Sequence, residues 1–323
     1  MLNQFIIYSL VLFFSLFQAT AQAFDYQYPR SSVAMELKKV SEHVYFVQGA
    51  TGVATDNEGF ISNASVIIGE QSITLVDALG SPALAEQLLY LIREISDLPI
   101  TRVISTHYHA DHIYGLQVFK DKGAQVIAPA GVGNYLDSQA AIDRLEERRF
   151  SLEPWVNEST RLVIPDLTIE QSTVLADGSV KLTVDYLGKA HSDADLTVFV
   201  EPDNVFITGD VIFEGRIPFV GDSDSRAWLE TLNKMASKKG IDALIPGHGG
   251  LAKEPLKAIS LTRDYLLFLR QKLGAGVEEM ISFEELYLTI DWSSFEKLPA
   301  FDLGNRVNAY QVFLSLEKEL LEQ

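Results

Sequence analysis

From residue 40 onward, short apolar runs alternate with turn signals, and that alternation predicts most of the elements. Val44 to Gln48 reads as a strand, and Gly49 to Phe60, with its Gly and Asp content, as a loop. Ala64 to Ile68 and Ile73 to Val76 read as paired strands, turned by Gly69-Glu70-Gln71. Leu84, Leu88, Leu89, Leu91, Ile92 and Ile95 recur at three- and four-residue steps, which predicts a helix over 81–95. A buried-type strand, Arg102 to Ser105, leads to a polar cluster from Thr106. A second helical stretch starts at Gly115, a strand follows at Gln125 to Ile127, and 137–150 is charged and helical. The middle of the chain predicts strands at Leu162 to Ile164, Ser179 to Val184, Leu196 to Val200 and Val205 to Ile207. Asp177-Gly178 and Pro202-Asp203-Asn204 supply turns. Residues 226–237 predict a helix, Ala243 to Ile245 a short strand, and the chain from Leu256 is mostly helix. Two rounds of strands followed by helices suit two sheets packed face to face with helices outside. There is no repeat and no low-complexity linker. The expected organisation is one catalytic domain, residues 24–275, with a C-terminal helical extension, residues 276–323.

The first residues break this pattern. Ile6 to Phe17 is apolar and uncharged, and Ala21 and Ala23 stand in the A-x-A arrangement of a signal-peptidase site. Met1-Leu2-Asn3-Gln4 lacks the usual Lys or Arg, so an uncleaved anchor is the competing reading. The run is short for a span of about 20 apolar residues. The expectation is a signal peptide over 1–23, cleavage after Ala23, and a secreted or periplasmic protein with no stable membrane insertion.

Charge and composition narrow the partners. The chain carries 44 acidic against 26 basic residues, a net charge of −18, which repels nucleic-acid phosphates. A small-molecule substrate is the expected partner, and oligomeric state stays open. There is no cysteine, so disulfides and thiolate ligands are excluded. Any transition metal must be held by His, Asp or Glu.

Five of the six histidines fall in polar segments that follow strand-like runs. Three lie in Thr106-His107-Tyr108-His109-Ala110-Asp111-His112; His191 follows Leu187-Gly188-Lys189-Ala190, and His248 follows Pro246-Gly247. Asp210 ends Val205-Phe206-Ile207-Thr208-Gly209. In an extended segment alternate side chains point the same way, so His107 and His109 can reach one ion together. If the chain turns into a helix near Asp111, Asp111 and His112 face a second. Packed into six residues, these groups repel one another if charged and cost stability if buried unpaired; a metal resolves both. Zinc accepts such nitrogen and oxygen donors, and a carboxylate such as Asp210 can bridge two cations. His43 stands apart and reads as structural.

The order H-x-H-x-D-H, a distant His, Gly-Asp after a strand, then Pro-Gly-His resembles the metallo-β-lactamase superfamily, over roughly residues 40 to 250. The resemblance implies an α/β, four-layer αβ/βα sandwich with the site at one edge of the sheets. It places His107, His109 and His191 on one zinc and Asp111, His112 and His248 on the other, with Asp210 bridging. Asp77, after the strand Ile73 to Val76, matches an acidic supporting position. The β-lactamases proper usually have Cys or Ser at the bridging position; Asp210 is the choice of glyoxalase II-type thioesterases and lactonases. His109 stands where the flavodiiron branch has Glu. Gly209 to Phe219, leading into Asp224-Ser225-Arg226-Ala227-Trp228-Leu229, resembles the exported quinoprotein relay system zinc metallohydrolase group. Asn305-Arg306-Val307-Asn308-Ala309-Tyr310 fits that group's C-terminal helix.

The implied activity is a two-zinc hydrolase, with iron or manganese as alternative metals. Ions about 3.5–4 Å apart share a hydroxide that attacks the carbonyl of an ester, lactone, thioester or lactam. Asp111 orients it and carries its proton, so Asp111 is the catalytic candidate. Gly49 to Phe60 and Arg216 to Val220 border the pocket. The rival readings are β-lactamase activity proper, a mononuclear-iron enzyme like the persulfide dioxygenases, and an accessory protein of a quinoprotein dehydrogenase system. Asn63-Ala64-Ser65 and Asn157-Glu158-Ser159 match the glycosylation triplet, a pattern common by chance.

Overall fold

The computed structural model describes residues 26–221 and 223–322. The apolar run Ile6 to Phe17 and the cleavage expected after Ala23 lie outside the described residues. Seven strands form one sheet in chain order: β1 (Lys38–Lys39), β2 (Val44–Val47), β3 (Ala64–Ile68), β4 (Ile73–Val76), β5 (Ile100–Ile104), β6 (Gln125–Pro129) and β7 (Leu167–Ile169). β1 to β4 pair antiparallel, and β4 to β7 run parallel. Each parallel step needs a crossover. α1 (Pro82–Arg93) makes the first, α2 (Ala110–Ile113) with α3 (Leu116–Asp121) the second, and α4 (Val132–Leu136) with α5 (Gln139–Ser151) the third. α1 starts where predicted: Ser81 Oγ accepts from the Leu84 amide and Pro82 opens the helix.

The second sheet holds β8 (Thr173–Asp177), β9 (Val180–Gly188), β10 (Asp195–Glu201), β11 (Val205–Phe213) and β12 (Ala243–His248), in the order β12-β11-β10-β9-β8. β8 to β11 form an antiparallel meander, and α6 (Ser225–Met235) carries the chain over to β12, parallel to β11. α7 (Pro255–Glu278), α8 (Phe283–Thr289) and α9 (Phe301–Leu321) follow.

Alternation along the strands builds three cores. Leu75, Val103 and Val126 face Leu84, Leu88 and Ile92 of α1. Their neighbours Val76, Ile104 and Ile127 face the other way, against Leu182, Val184, Leu196 and Val198 of the second sheet. Leu244 of β12 packs on Trp228 and Leu232 of α6 and on Ile259 and Leu266 of α7, while Ile245 joins the core between the sheets. Each such side chain contributes roughly 1.5–3 kcal/mol by leaving water, and strands buried on both faces must be apolar at nearly every position. The outcome is helix, sheet, sheet, helix: the four-layer sandwich expected from the sequence.

Two departures have local causes. Leu162 to Ile164 is not a strand; Ile164 is exposed, and Pro165 has no amide to give a ladder. The strand begins at Leu167 instead, after Asp166 accepts from the Val126 amide (2.8 Å). β11 runs six residues past the predicted Ile207, because Gly209, at φ +52°, shifts the register against β12 and lets the strand continue. The polar lead-in gains the short edge strand β1. α7 carries the chain without a break through residue 275; Thr262 Oγ1 accepts from the Phe213 amide (3.1 Å), tying it to β11. Among the described residues, no helix is long and apolar enough to cross a membrane.

Candidate metal centre

The parallel strands of both sheets end at one edge, where α/β folds place ligands. Asp77 follows β4, and Thr106 to His109 follow β5. His109 is extended (φ −66°, ψ 145°), and α2 opens at Ala110, with the His112 amide donating to the His109 carbonyl at 2.9 Å. The chain thus turns from strand to helix between His109 and Asp111, as the two-ion reading required. His191 sits in the loop between β9 and β10, Asp210 lies within β11, and His248 ends β12.

All seven predicted residues converge. His107, His109, His191 and Asp210 form one group and Asp111, His112 and His248 another, each with candidate ligand atoms within 4.8 Å of one another. In the first group His191 Nε2 lies 3.0 Å from His109 Nδ1 and 3.4 Å from Asp210 Oδ2, and His107 Nε2 lies 3.9 Å from the same oxygen. In the second, His248 Nε2 is 3.2 Å and His112 Nε2 3.6 Å from Asp111 Oδ2. Asp210 reaches this group as well: Oδ1 is 3.1 Å from His112 Nε2 and Oδ2 is 3.2 Å from His248 Nε2. One carboxylate therefore faces both groups.

The outer contacts set which ring nitrogen faces inward. His112 Nδ1 meets Asp77 Oδ2 at 2.9 Å, and His248 Nδ1 meets the Ile61 carbonyl at 2.7 Å. Both partners accept only, so both Nδ1 atoms donate and both Nε2 atoms are turned toward the cluster. Thr106 Oγ1 donates to Asp77 Oδ2 (2.9 Å) and so accepts from His107 Nδ1 (3.0 Å). Asp77 also accepts from the Thr106 amide (2.8 Å), which makes it a support for His107 and His112 together. His107 Nε2, His112 Nε2 and Asp210 Oδ1 are buried without a hydrogen-bond partner. These unpartnered atoms of His107, His112 and Asp210, set within a cluster of five imidazoles and two carboxylates, fit a pair of borderline-soft divalent ions.

Comparison with known proteins bears on this geometry. The metallo-beta-lactamase superfamily profile matches residues 57–248. The chain belongs to the metallo-beta-lactamase superfamily. It is 24% identical over 234 residues to a metallo-beta-lactamase type 2 of Bacteroides fragilis, covering 69% of this chain and 86% of that one. It is 23% identical over 154 residues to an acyl-coenzyme A thioesterase of Gallus gallus, covering 45% of this chain and 55% of the relative. Its fold superposes on the inverting sec-alkylsulfatase of a Pseudomonas species with a TM-score of 0.67 at 17% identity, over 89% of this chain and 50% of that one.

As a member of this superfamily the chain shows the electrostatics that ligands need. Burial pushes His107 well below the ordinary imidazole range, reinforced by His112 and His109, and takes His191 down to about 3. Both are neutral donors. Burial also opposes charge on His112 and His248, but Asp210 and Asp111 outweigh it, holding His112 well above its usual range and His248 up to about 9. In return, and against the cost of burial, His248 and His112 keep Asp210 and Asp111 below the ordinary carboxylate range. Protons and metal ions compete for the same Nε2 atoms. Arg216 is pulled down by burial while Asp210 and Asp111 favour its charge; Phe219 stands beside the cluster with its ring 6.3 Å from that of His109. The bordering segment expected at 216–220 is therefore at the site.

Two further residues support the ligands and carry no sequence signal that distinguishes them. Asn63 accepts from the Gly49 amide (3.0 Å) and donates to the carbonyls of Pro246 (2.8 Å) and Gly249 (3.0 Å), bracketing His248. It is buried, so its match to the glycosylation triplet reflects chance. Ser62 Oγ donates to the Asp111 carbonyl. His43 pairs with Asp203 at 2.7 Å and belongs to neither group, as expected.

Proposed function

We propose that this chain is an exported hydrolase that uses two zinc ions to open a carbonyl compound: an ester, lactone, thioester or lactam. Metal-dependent hydrolysis is the chemistry of its relatives, named as a β-lactamase, a thioesterase and an alkylsulfatase. The observation that carries the two-ion reading is Asp210, whose oxygens lie within 3.4 Å of His191, His112 and His248 at once.

His107, His109, His191 and Asp210 would hold one ion, and Asp111, His112, His248 and Asp210 the other. Bound there, the pair supplies Lewis-acid polarisation and an activated water at neutral pH. The chain's own residues do the rest. Asp111 is the ligand carboxylate with the most exposure, its side chain 20% exposed against 3% for Asp210, so it faces entering substrate. It is ionised at neutral pH, because His112 and His248 outweigh the cost of burial. It can therefore accept the proton of the attacking water and orient it. Phe219 and Arg216 offer an apolar face and a cation to whatever binds beside the ligands. Of the four bond types the proposal favours esters and thioesters over lactams, since Asp210 occupies the position where the β-lactamases proper carry Cys or Ser.

Elemental analysis of the mature protein, purified without added metal, tests the reading. Two zincs per chain and turnover of esters or thioesters are expected; one iron with oxygen uptake overturns it. Asp111→Ala should abolish turnover while circular dichroism stays unchanged, and retained activity would remove Asp111 from its role.

A further inference from the structure

We propose that the C-terminal helix α9 holds one wall of the substrate pocket, and that Asn308 is the positioning residue that sets where this wall stands. The inference rests on the hydrolase reading for the meaning of the pocket, but not for the contacts.

The wall is the segment after β11, residues 214–221. It has no sheet partner, so its backbone groups must be satisfied elsewhere. Its side chains split in two directions. Ile217 and Val220, each 1% exposed, sink into the core built from α6, α7 and α9. Arg216 and Phe219 do not; Phe219 is 45% exposed beside His109, and Arg216 lies within the field of Asp210 and Asp111.

The C-terminal region supplies the missing partners. The Ile217 amide donates to the Pro299 carbonyl (3.2 Å). The Val220 amide donates to Asn308 Oδ1 (2.9 Å), and Asn308 Nδ2 donates to the Pro218 carbonyl (2.7 Å). Asn308 thus grips the residues on either side of Phe219, one through an acceptor and one through a donor. A primary amide offers both on a single rigid plane, which a hydroxyl or carboxylate cannot. The amide is itself locked: Asn308 is fully buried and donates to Tyr265 Oη (3.1 Å), Tyr265 donates to Asn305 Oδ1 (2.8 Å), and Asn305 donates to Tyr287 Oη (3.0 Å). A satisfied buried network of this kind is rigid. The superfamily match ends at residue 248, so the ligands come from the shared part of the fold and this clamp from beyond it.

The test is amide hydrogen exchange and steady-state kinetics on the metal-loaded full-length mature protein. Asn308→Ala should speed exchange across 215–221 by about tenfold or more, the local opening expected when both grips are lost. Asn308→Asp keeps the acceptor for Val220 and should fall between. Zinc content should match wild type in both. With p-nitrophenyl acetate and p-nitrophenyl butyrate as probes, KM should rise and the preference between the two esters should change, with kcat altered less. Tyr287→Phe loosens only the far end of the network and should leave KM unchanged. Unchanged exchange at 215–221 in Asn308→Ala overturns the proposal; so does faster exchange with KM and ester preference unmoved. If wild type turns over neither ester, the hydrolase reading is at fault, and the exchange result still decides whether Asn308 holds the wall.

Discussion

Asp77→Asn is the smallest change that separates support of a ligand from ligation itself. Asp77 is 3% exposed and accepts three hydrogen bonds: Oδ1 from the Thr106 amide, Oδ2 from Thr106 Oγ1 and from His112 Nδ1. An asparagine keeps the shape and turns one oxygen into a donor. With the NH2 at the Oδ1 position, it faces the Thr106 amide donor to donor. With the NH2 at the Oδ2 position, Thr106 can rotate its hydroxyl, but His112 must give up its Nδ1 proton and carry it on Nε2. The inward nitrogen then loses the lone pair a metal needs.

Either orientation forfeits a bond to a charged acceptor, worth about 1.5–3 kcal/mol. Lost support behind a metal-binding histidine typically costs 10- to 100-fold in affinity, or about 1.4–2.7 kcal/mol. The effect should fall on the ion held by His112, because His107 reaches Asp77 only through Thr106. Competition against a chromophoric chelator, read for each of two zinc equivalents, measures it. One equivalent should weaken by that factor while the other moves by less than about threefold. If both equivalents bind as in wild type, the tautomer argument is wrong.

Three other outcomes follow from the same structure. Gly247→Ala would place a methyl 1.9 Å from Asp210 Oδ1 and 2.7 Å from the Gly209 carbonyl carbon, so metal content should drop below one ion per chain; two retained ions would show that Asp210 is not the bridge. Asp195 is buried and accepts from the Ser192 amide and hydroxyl, and burial lifts its carboxyl to about 7. A raised acid binds its proton more tightly folded than unfolded, so its contribution is greatest below pH ~4 and is lost as pH rises through 7, by up to about 4 kcal/mol; Asp195→Asn should remove that slope from the difference in melting temperature across pH 4–8, and parallel curves would count against it. Stripping the ions with a chelator should cost about 2.7 kcal/mol for each site held at 100 times its Kd, and thermal melts that coincide with and without metal would mean that no ion is held.

The ligands were legible because each lies in a short segment whose local form is set by its neighbours. Thr106 to His112 needs only a strand end and a helix start, both visible in the apolar run Arg102 to Ser105 and in the polar residues after it. Asp210 and His248 likewise follow Val205 to Ile207 and Ala243 to Ile245. The strand placed at Leu162 to Ile164 failed because apolar content there serves packing without a ladder, and Pro165 vetoes the pairing. What stayed hidden is what acts at long range. Asn63 holds the His248 turn across 183 and 186 residues, and Asn308 meets Val220 across 88. An asparagine carries no periodic signal, and its value depends on which two backbones the fold brings to its amide.

This division between local ligands and distant supports also explains the placement of the centre. The first sheet contributes His107, His109, Asp111 and His112, and the second contributes His191, Asp210 and His248. Neither sheet alone presents a complete group: the first group lacks His191 and Asp210 without the second sheet, and the second group lacks Asp111 and His112 without the first. Metal binding therefore joins the two halves of the sandwich at the edge where the inter-sheet core of Ile104, Leu196 and Ile207 ends. The carboxylate that faces both groups lies on β11, beside a glycine whose added Cβ would come 2.5 Å from Thr106 Oγ1. Gly209 is thus the point at which the sheets approach closely enough for one aspartate to face both groups. A substitution there should act on metal binding before it acts on the distant helices.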